Sequence, residues 1–137
     1  MVLIVEDNQL FRRYLRDSLS RHFPDLSFYE AENLAQGRQR LRETRPEAVL
    51  VDLCLPDGTG LDLVETIHRD YPEIPVAICT AHDLPEYREA ARKAGLDAFF
   101  VKNHLDWEGV IQLITTSRYK SMRQACPPPA PTPGMLS

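Results

Sequence analysis

Val2-Leu-Ile-Val-Glu-Asp-Asn-Gln-Leu-Phe-Arg-Arg-Tyr-Leu-Arg-Asp-Ser-Leu19 changes its period once, and that change decides the fold. The first four residues are aliphatic without polar alternation, which suits a strand buried on both faces of a sheet. After Glu6 and Asp7 the apolar positions take helical spacing, with Phe11, Leu15 and Leu19 at i, i+4 and i+8 and with Leu10 and Tyr14 alongside. The same unit recurs down the chain. Apolar runs occupy residues 26–30, 48–51, 76–79 and 98–101. Each is followed by helical spacing: Leu34 with Leu41; Leu63, Val64 and Ile67; Tyr87, Ala90, Ala91 and Ala94; Trp107, Val110, Ile111 and Ile114. Five strand–helix units predict an α/β fold, a doubly wound parallel sheet with right-handed crossovers and helices on both faces.

Punctuation agrees with these boundaries. Pro46 and Pro75 stand just before strands three and four, Pro85 falls in the first turn of the fourth helix, and Gly95 is placed to close it. The second helix is the weakest, with a thin apolar face and Gly37; its Arg38, Arg40, Arg42 and Arg45 read as a solvated face. From about Arg118 the character changes, and residues 126–137 hold five of the eleven prolines. The expected division is a domain over 1–118 and a Pro-rich tail or linker over 119–137.

A chain of 137 residues is of single-domain size, with room for a real core. Sixteen basic against twenty acidic residues give a net charge of −4, which argues against direct nucleic-acid binding. No apolar run approaches the roughly 20 residues of a membrane span, and Glu6 and Asp7 interrupt the first run before it could form a signal-peptide core. A cytoplasmic location without membrane association is expected. Cys54, Cys79 and Cys126 are an odd number without CxxC spacing, so they read as reduced core or strand-end residues and not as a disulfide or zinc framework.

In an open parallel sheet, ligands bind beyond the carboxyl ends of the strands. The residues ending the runs are Glu6 and Asp7 on the first, Asp52 on the third, Thr80 on the fourth and Lys102 on the fifth, this last one of only three lysines. Three carboxylates on one rim repel and raise one another's pKa unless a cation sits among them. A hard divalent ion answers that need, since Mg²⁺ takes one or two carboxylates, waters and phosphate oxygens. A carboxylate beside such an ion can attack a phosphoryl group. The metal and a lysine would then neutralise the phosphoryl oxygens. A flavin or nucleotide site would want a Gly-rich or hydroxyl-rich loop after the first strand, and Glu6-Asp7-Asn8 would repel phosphate instead.

On these residues the chain resembles the receiver domain of bacterial two-component response regulators. The motifs are Val2-Leu-Ile-Val-Glu-Asp-Asn8, Val51-Asp-Leu-Cys-Leu-Pro-Asp-Gly-Thr-Gly60, Thr80-Ala81 and Phe99-Phe-Val-Lys102. The resemblance runs from Met1 to about Arg118. It implies a flavodoxin-like (βα)5 sheet of strand order 2-1-3-4-5. It also implies a phosphorylation-dependent switch in which Asp52 is the phosphoacceptor and Mg²⁺ (or Mn²⁺) is the cofactor. Asp7 and Asp52 would be direct metal ligands, Glu6 a ligand through water and the Cys54 backbone carbonyl a further ligand. Lys102 would pair with the phosphoryl group, Thr80 and Phe99 would form the conformational relay, and Cys54 and His82 would tune dephosphorylation at the mouth of the site.

The implied partners are a histidine kinase or phosphotransfer protein on the input side and a protein target or second copy on the output side. Enzymatic activity would be limited to self-phosphorylation and self-dephosphorylation. One departure from the family pattern is Asn103, where proline usually follows the lysine. A cis bond before asparagine would cost about 2.5–4 kcal/mol, so a trans, differently shaped loop is expected. His22, His68, His82 and His104 lie in no phosphotransfer-helix context and are assigned structural or surface places, with His82, two residues after Thr80, the exception for the tuning role just given.

Two other classes fit the residues less well. A phosphohydrolase with an aspartyl nucleophile would want an acid two residues after Asp52, where Cys54 stands. A phosphorylation-independent interaction module would be expected to lack one of Asp7, Asp52, Thr80 or Lys102, and all are present.

Overall fold

In the computed structural model, which describes residues 1–96 and 98–125 with side chains as far as Tyr119, every one of the five apolar runs contributes a strand. In chain order the elements are β1 (Val2–Val5), α1 (Gln9–His22), β2 (Phe28–Ala31), α2 (Leu34–Glu43), β3 (Ala48–Val51), β4 (Cys54–Leu55) and β5 (Gly58–Thr59). They continue with α3 (Gly60–Asp70), β6 (Val76–Thr80), α4 (Pro85–Lys93), β7 (Ala98–Val101), a 3₁₀ turn (Lys102–His104) and α5 (Trp107–Ala125). The main sheet is parallel throughout, in the order β2-β1-β3-β6-β7. With the small β4–β5 hairpin set aside, this is the flavodoxin-like 2-1-3-4-5 order.

Successive residues of the central strands feed opposite cores, as the two-residue side-chain period requires. Leu3, Val5, Val49, Val51 and Ile78 pack with Leu34 and Leu41 of α2 and with Leu63, Val64 and Ile67 of α3. Val2, Ile4, Leu50, Ala77 and Cys79 pack with Leu15 and Leu19 of α1 and with Val110 and Ile114 of α5. Each fully buried aliphatic side chain contributes about 1.5–3 kcal/mol. The two cores hold the central strands so that β1, β3 and β6 end on one rim.

Local departures have physical reasons. β2 starts two residues later than the apolar run beginning at Leu26, because Leu26 is buried in the turn after α1, where its amide N–H donates to the Phe23 carbonyl (2.9 Å). β2 is also an edge strand, so Tyr29 is exposed where a doubly buried strand was expected. Leu10 is 77 % exposed and Tyr14 half exposed, outside the buried stripe of α1.

Gly37 packs where an added Cβ would stand 3.2 Å from Val5, so the thin face of α2 is a close approach to β1. Pro85 opens α4, and Gly95, at φ +75°, ends it in the left-handed conformation that glycine adopts without strain. α5 continues past Arg118 to Ala125. The proline-rich stretch 126–137, with Cys126, lies outside the described residues.

Candidate functional site

The site is built from strand ends. The Asp52 amide donates to the Val5 carbonyl (2.9 Å), so the turns after β1 and β3 leave the sheet side by side. Asn8 begins α1 immediately afterwards, its side chain accepting from the Phe11 amide (3.0 Å). This brings Glu6, Asp7 and Asp52 together, with one carboxylate oxygen of each within 4.8 Å of the others. From the turn that follows β7, Lys102 reaches across: its Nζ lies 2.5 Å from Glu6 Oε1 and 3.2 Å from Asp52 Oδ2, and 4.6 Å from the centre of the Phe11 ring. Glu6 and Asp52 are buried and Asp7 is exposed, so the cluster opens to solvent on the Asp7 side.

Electrostatics mark this cluster. Burial, reinforced by the neighbouring Asp52 carboxyl, pushes Glu6 from its ordinary 4.5 up to about 8. Burial works against the charge on Lys102, but its bond to Glu6 and the field of Asp52 outweigh it and raise its pKa. An all-oxygen donor set of three crowded carboxyls suits a hard divalent cation such as Mg²⁺. Glu6, Asp7 and Asp52 are the residues that would hold it.

The other residues singled out in the sequence lie nearby. Thr80 is completely buried at the end of β6, and its Oγ1 accepts from the His82 amide (3.1 Å). Phe99 is half-buried on β7; the Arg88 guanidinium lies 4.8 Å from its ring centre, and Arg88 Nε donates to Asp83 (2.5 Å). Cys54 is exposed with a free thiol, and its amide donates to Asp52 Oδ1 (3.3 Å). Cys79 is buried among the α1–α5 side chains, and burial pushes its thiol up to about 12. His82 is exposed, edge-on to Tyr87. His68 Nδ1 lies 2.7 Å from the Ala94 carbonyl oxygen, a structural link between α3 and the end of α4. His22 and His104 are exposed. Lys102, Asn103 and His104 form the 3₁₀ turn, with trans peptides throughout the described residues.

Three supports were not foreseen. The Asp57 carboxylate, at the tip of the hairpin, accepts from the amides of Leu34 (2.8 Å) and Ala35 (3.1 Å), tying the loop after Asp52 to the start of α2; these bonds hold its pKa low. Gly60 sits against the Asp52 backbone carbonyl, leaving no room there for a Cβ. Arg12 is buried on α1 and donates to the Glu6 carbonyl. The visible signal for Arg12 was its register with Leu15 and Leu19, an arginine in line with a buried stripe.

Fold and donor set together define a class, the doubly wound α/β domains that carry an acidic cluster at the carboxyl ends of their strands. Within that class, the response regulator receiver domain matches residues 2–114, and the chain belongs to that family. It is 35 % identical over 101 residues to the KDP operon transcriptional regulatory protein KdpE of Escherichia coli, a match covering 74 % of this chain and 44 % of KdpE. The chain therefore spans less than half the length of that relative. It is 33 % identical over 106 residues to the polar-differentiation response regulator DivK of Brucella anthropi, covering 74 % of this chain and 82 % of DivK. Among solved structures, a DNA-binding response regulator of the LuxR family from Staphylococcus aureus superposes with a TM-score of 0.74 at 25 % identity, covering 85 % of this chain and 96 % of that one. Among the described residues, no helix is long and apolar enough to cross a membrane.

Proposed function

We propose that the chain is a phosphorylation-operated signalling switch of a two-component phosphorelay, with Asp52 as the acceptor. The observation that carries this reading is the meeting of Asp52 Oδ2 with Lys102 Nζ at 3.2 Å inside a cluster that also holds Glu6 and Asp7. An Asp52 carboxylate oxygen attacks the phosphorus of a phosphohistidine on a kinase or phosphotransfer protein. The nitrogen–phosphorus bond breaks, and the imidazole keeps the electron pair. Bound Mg²⁺ would neutralise charge on the phosphoryl oxygens. Lys102, already beside Asp52, follows the new negative charge. Thr80 supplies a hydroxyl donor, and Phe99 responds on the face formed by α4, β7 and α5, where a protein target or second copy engages.

Asp7 and Asp52 are the direct ligands in this reading, Glu6 acts through water, and the Cys54 carbonyl completes the protein donors. Cys54 and His82, two residues beyond Asp52 and Thr80, set how readily water reaches the phosphoryl group. The receiver occupies residues 1–118, and residues 119–137 form the tail or linker, of which 119–125 continue α5. The switch works in the cytoplasm.

The test is mass spectrometry after exposure to acetyl phosphate and Mg²⁺. The wild-type chain gains one phosphoryl group and Asp52→Asn gains none. Labelling that persists in Asp52→Asn removes the assignment.

A further inference from the structure

We infer that Arg12 is a positioning residue for the acidic cluster, holding the Glu6–Asp7 turn where Mg²⁺ binding needs it; this rests on the reading of the site given above. The Arg12 side chain is only 9 % exposed. Its Nη1 donates to the Glu6 carbonyl oxygen at 2.5 Å, its Nε donates to Glu30 Oε1 at 3.0 Å, and its Nη2 lies 3.6 Å from Glu32 Oε1. Burying a guanidinium is costly unless charge and hydrogen bonds compensate it, and here the charge comes from Glu30 on β2 and Glu32 just after it.

What the burial achieves is a bond to one particular carbonyl. That carbonyl belongs to the peptide joining Glu6 to Asp7, so its orientation sets the origin of both side chains. On the other side, the Glu6 amide donates to the Ala31 carbonyl (2.8 Å). The two peptides that flank Glu6 are thus both held to the β2 side, one directly through Ala31 and the other through the Arg12 fork. Partners one shell out from metal ligands typically change metal affinity 10–100-fold when lost. Arg16 provides an internal control, since it meets the other oxygen of Glu30 at 3.3 Å from an exposed position on α1.

The sign of the effect separates positioning from simple electrostatics. Removing a positive charge close to three carboxylates should by itself tighten cation binding, whereas loss of positioning weakens it. The experiment is calorimetric titration of the full chain with Mg²⁺ at about 0.15 M salt, where distant charges are screened. It compares wild type, Arg12→Lys, Arg12→Met and Arg16→Gln, with melting curves recorded in the absence of divalent ions.

Arg12→Met is expected to weaken Mg²⁺ binding roughly tenfold. Arg12→Lys, which keeps the charge but not the fork, should weaken it less. Arg16→Gln should bind as wild type does, and saturating Mg²⁺ should restore phosphoryl uptake in the Arg12 variants. Wild-type or tighter binding in either Arg12 variant, with only the melting temperature lowered, overturns the inference. Should Arg12→Met fail to fold, Arg12→Lys decides alone. A wild-type chain that binds no Mg²⁺ overturns the reading of the site, and the inference with it.

Discussion

Glu6 concentrates the chemistry of the site at the scale of one residue. Burial and the Asp52 carboxyl raise its pKa from 4.5 to about 8, so the folded, metal-free chain binds this proton more tightly than the unfolded chain does. A carboxyl shifted in this direction contributes stability below about pH 4.5 and loses that contribution as pH rises through about 8. The acids held low by hydrogen bonds, such as Asp57, act below this window. The melting temperature measured without divalent ions should therefore fall between about pH 5 and 8. Glu6→Gln should flatten that slope, and an equal slope in the variant would show that another group is responsible. Glu6, Asp7, Asp52, Thr80 and Lys102 were legible in the sequence because each ends an apolar run, and a parallel sheet delivers such ends to one rim. Arg12 and Asp57 were not, because Glu30, which compensates the buried Arg12, and Leu34, which binds Asp57, are 18 and 23 residues away and only the folded chain brings them together.

Between elements, the helices are held unequally. α3 buries Gly60, Leu63, Val64 and Ile67, whereas α4 buries only Ala91 and fastens its outer face through exposed pairs such as Arg92 with Glu89. Exposed ion pairs contribute about 0–1 kcal/mol each and cannot replace burial. An element with few buried contacts opens at low free energy. Amide hydrogen exchange should accordingly be faster in α4 than in α3. Equal protection of the two would mean that α4 is held by contacts other than those seen in its packing. Its four-residue alanine and tyrosine stripe announced a helix, but not how shallowly that helix sits. The sequence was likewise silent on the β4–β5 hairpin, since two-residue strands show no periodicity; only the Pro56-Asp57-Gly58 turn signal was there to read. The edge position of β2 could not be read from its composition either, because Phe28 and Tyr29 suit a buried strand as well as an edge.

Across the whole molecule, the switch proposed above requires an event at Asp52 to be felt at the face around α4, β7 and α5, and Thr80, Phe99 and Arg88 are the residues that would carry it. Thr80 is fully buried and engaged with the His82 amide, while Phe99, one strand over, lies beneath the Arg88 guanidinium that Asp83 holds from the loop following Thr80. A phosphoryl group adds close to two negative charges and several acceptor oxygens. The Thr80 hydroxyl would turn toward it and vacate space that the Phe99 ring can fill. Arg88 would then lose its stacking partner, and α4, the shallowest helix, would be the element free to resettle. Two packings of one chain would thus exchange populations, with a coupling of about 1–3 kcal/mol, or roughly 5–150-fold. The discriminating pair of variants is Phe99→Ala and Thr80→Ala, each assayed for phosphoryl uptake and for phosphate-dependent change in the amide spectra of α4 and β7. Phe99→Ala leaves Asp52, Lys102 and the acidic cluster untouched, so it should accept phosphate at close to the wild-type rate while losing the distant spectral change. Thr80→Ala should lose that change as well, because the ring then has no moving hydroxyl to follow. A Phe99→Ala chain that still transmits the full change to α4 would show that the signal travels by another path, with Phe99 serving only to pack the sheet.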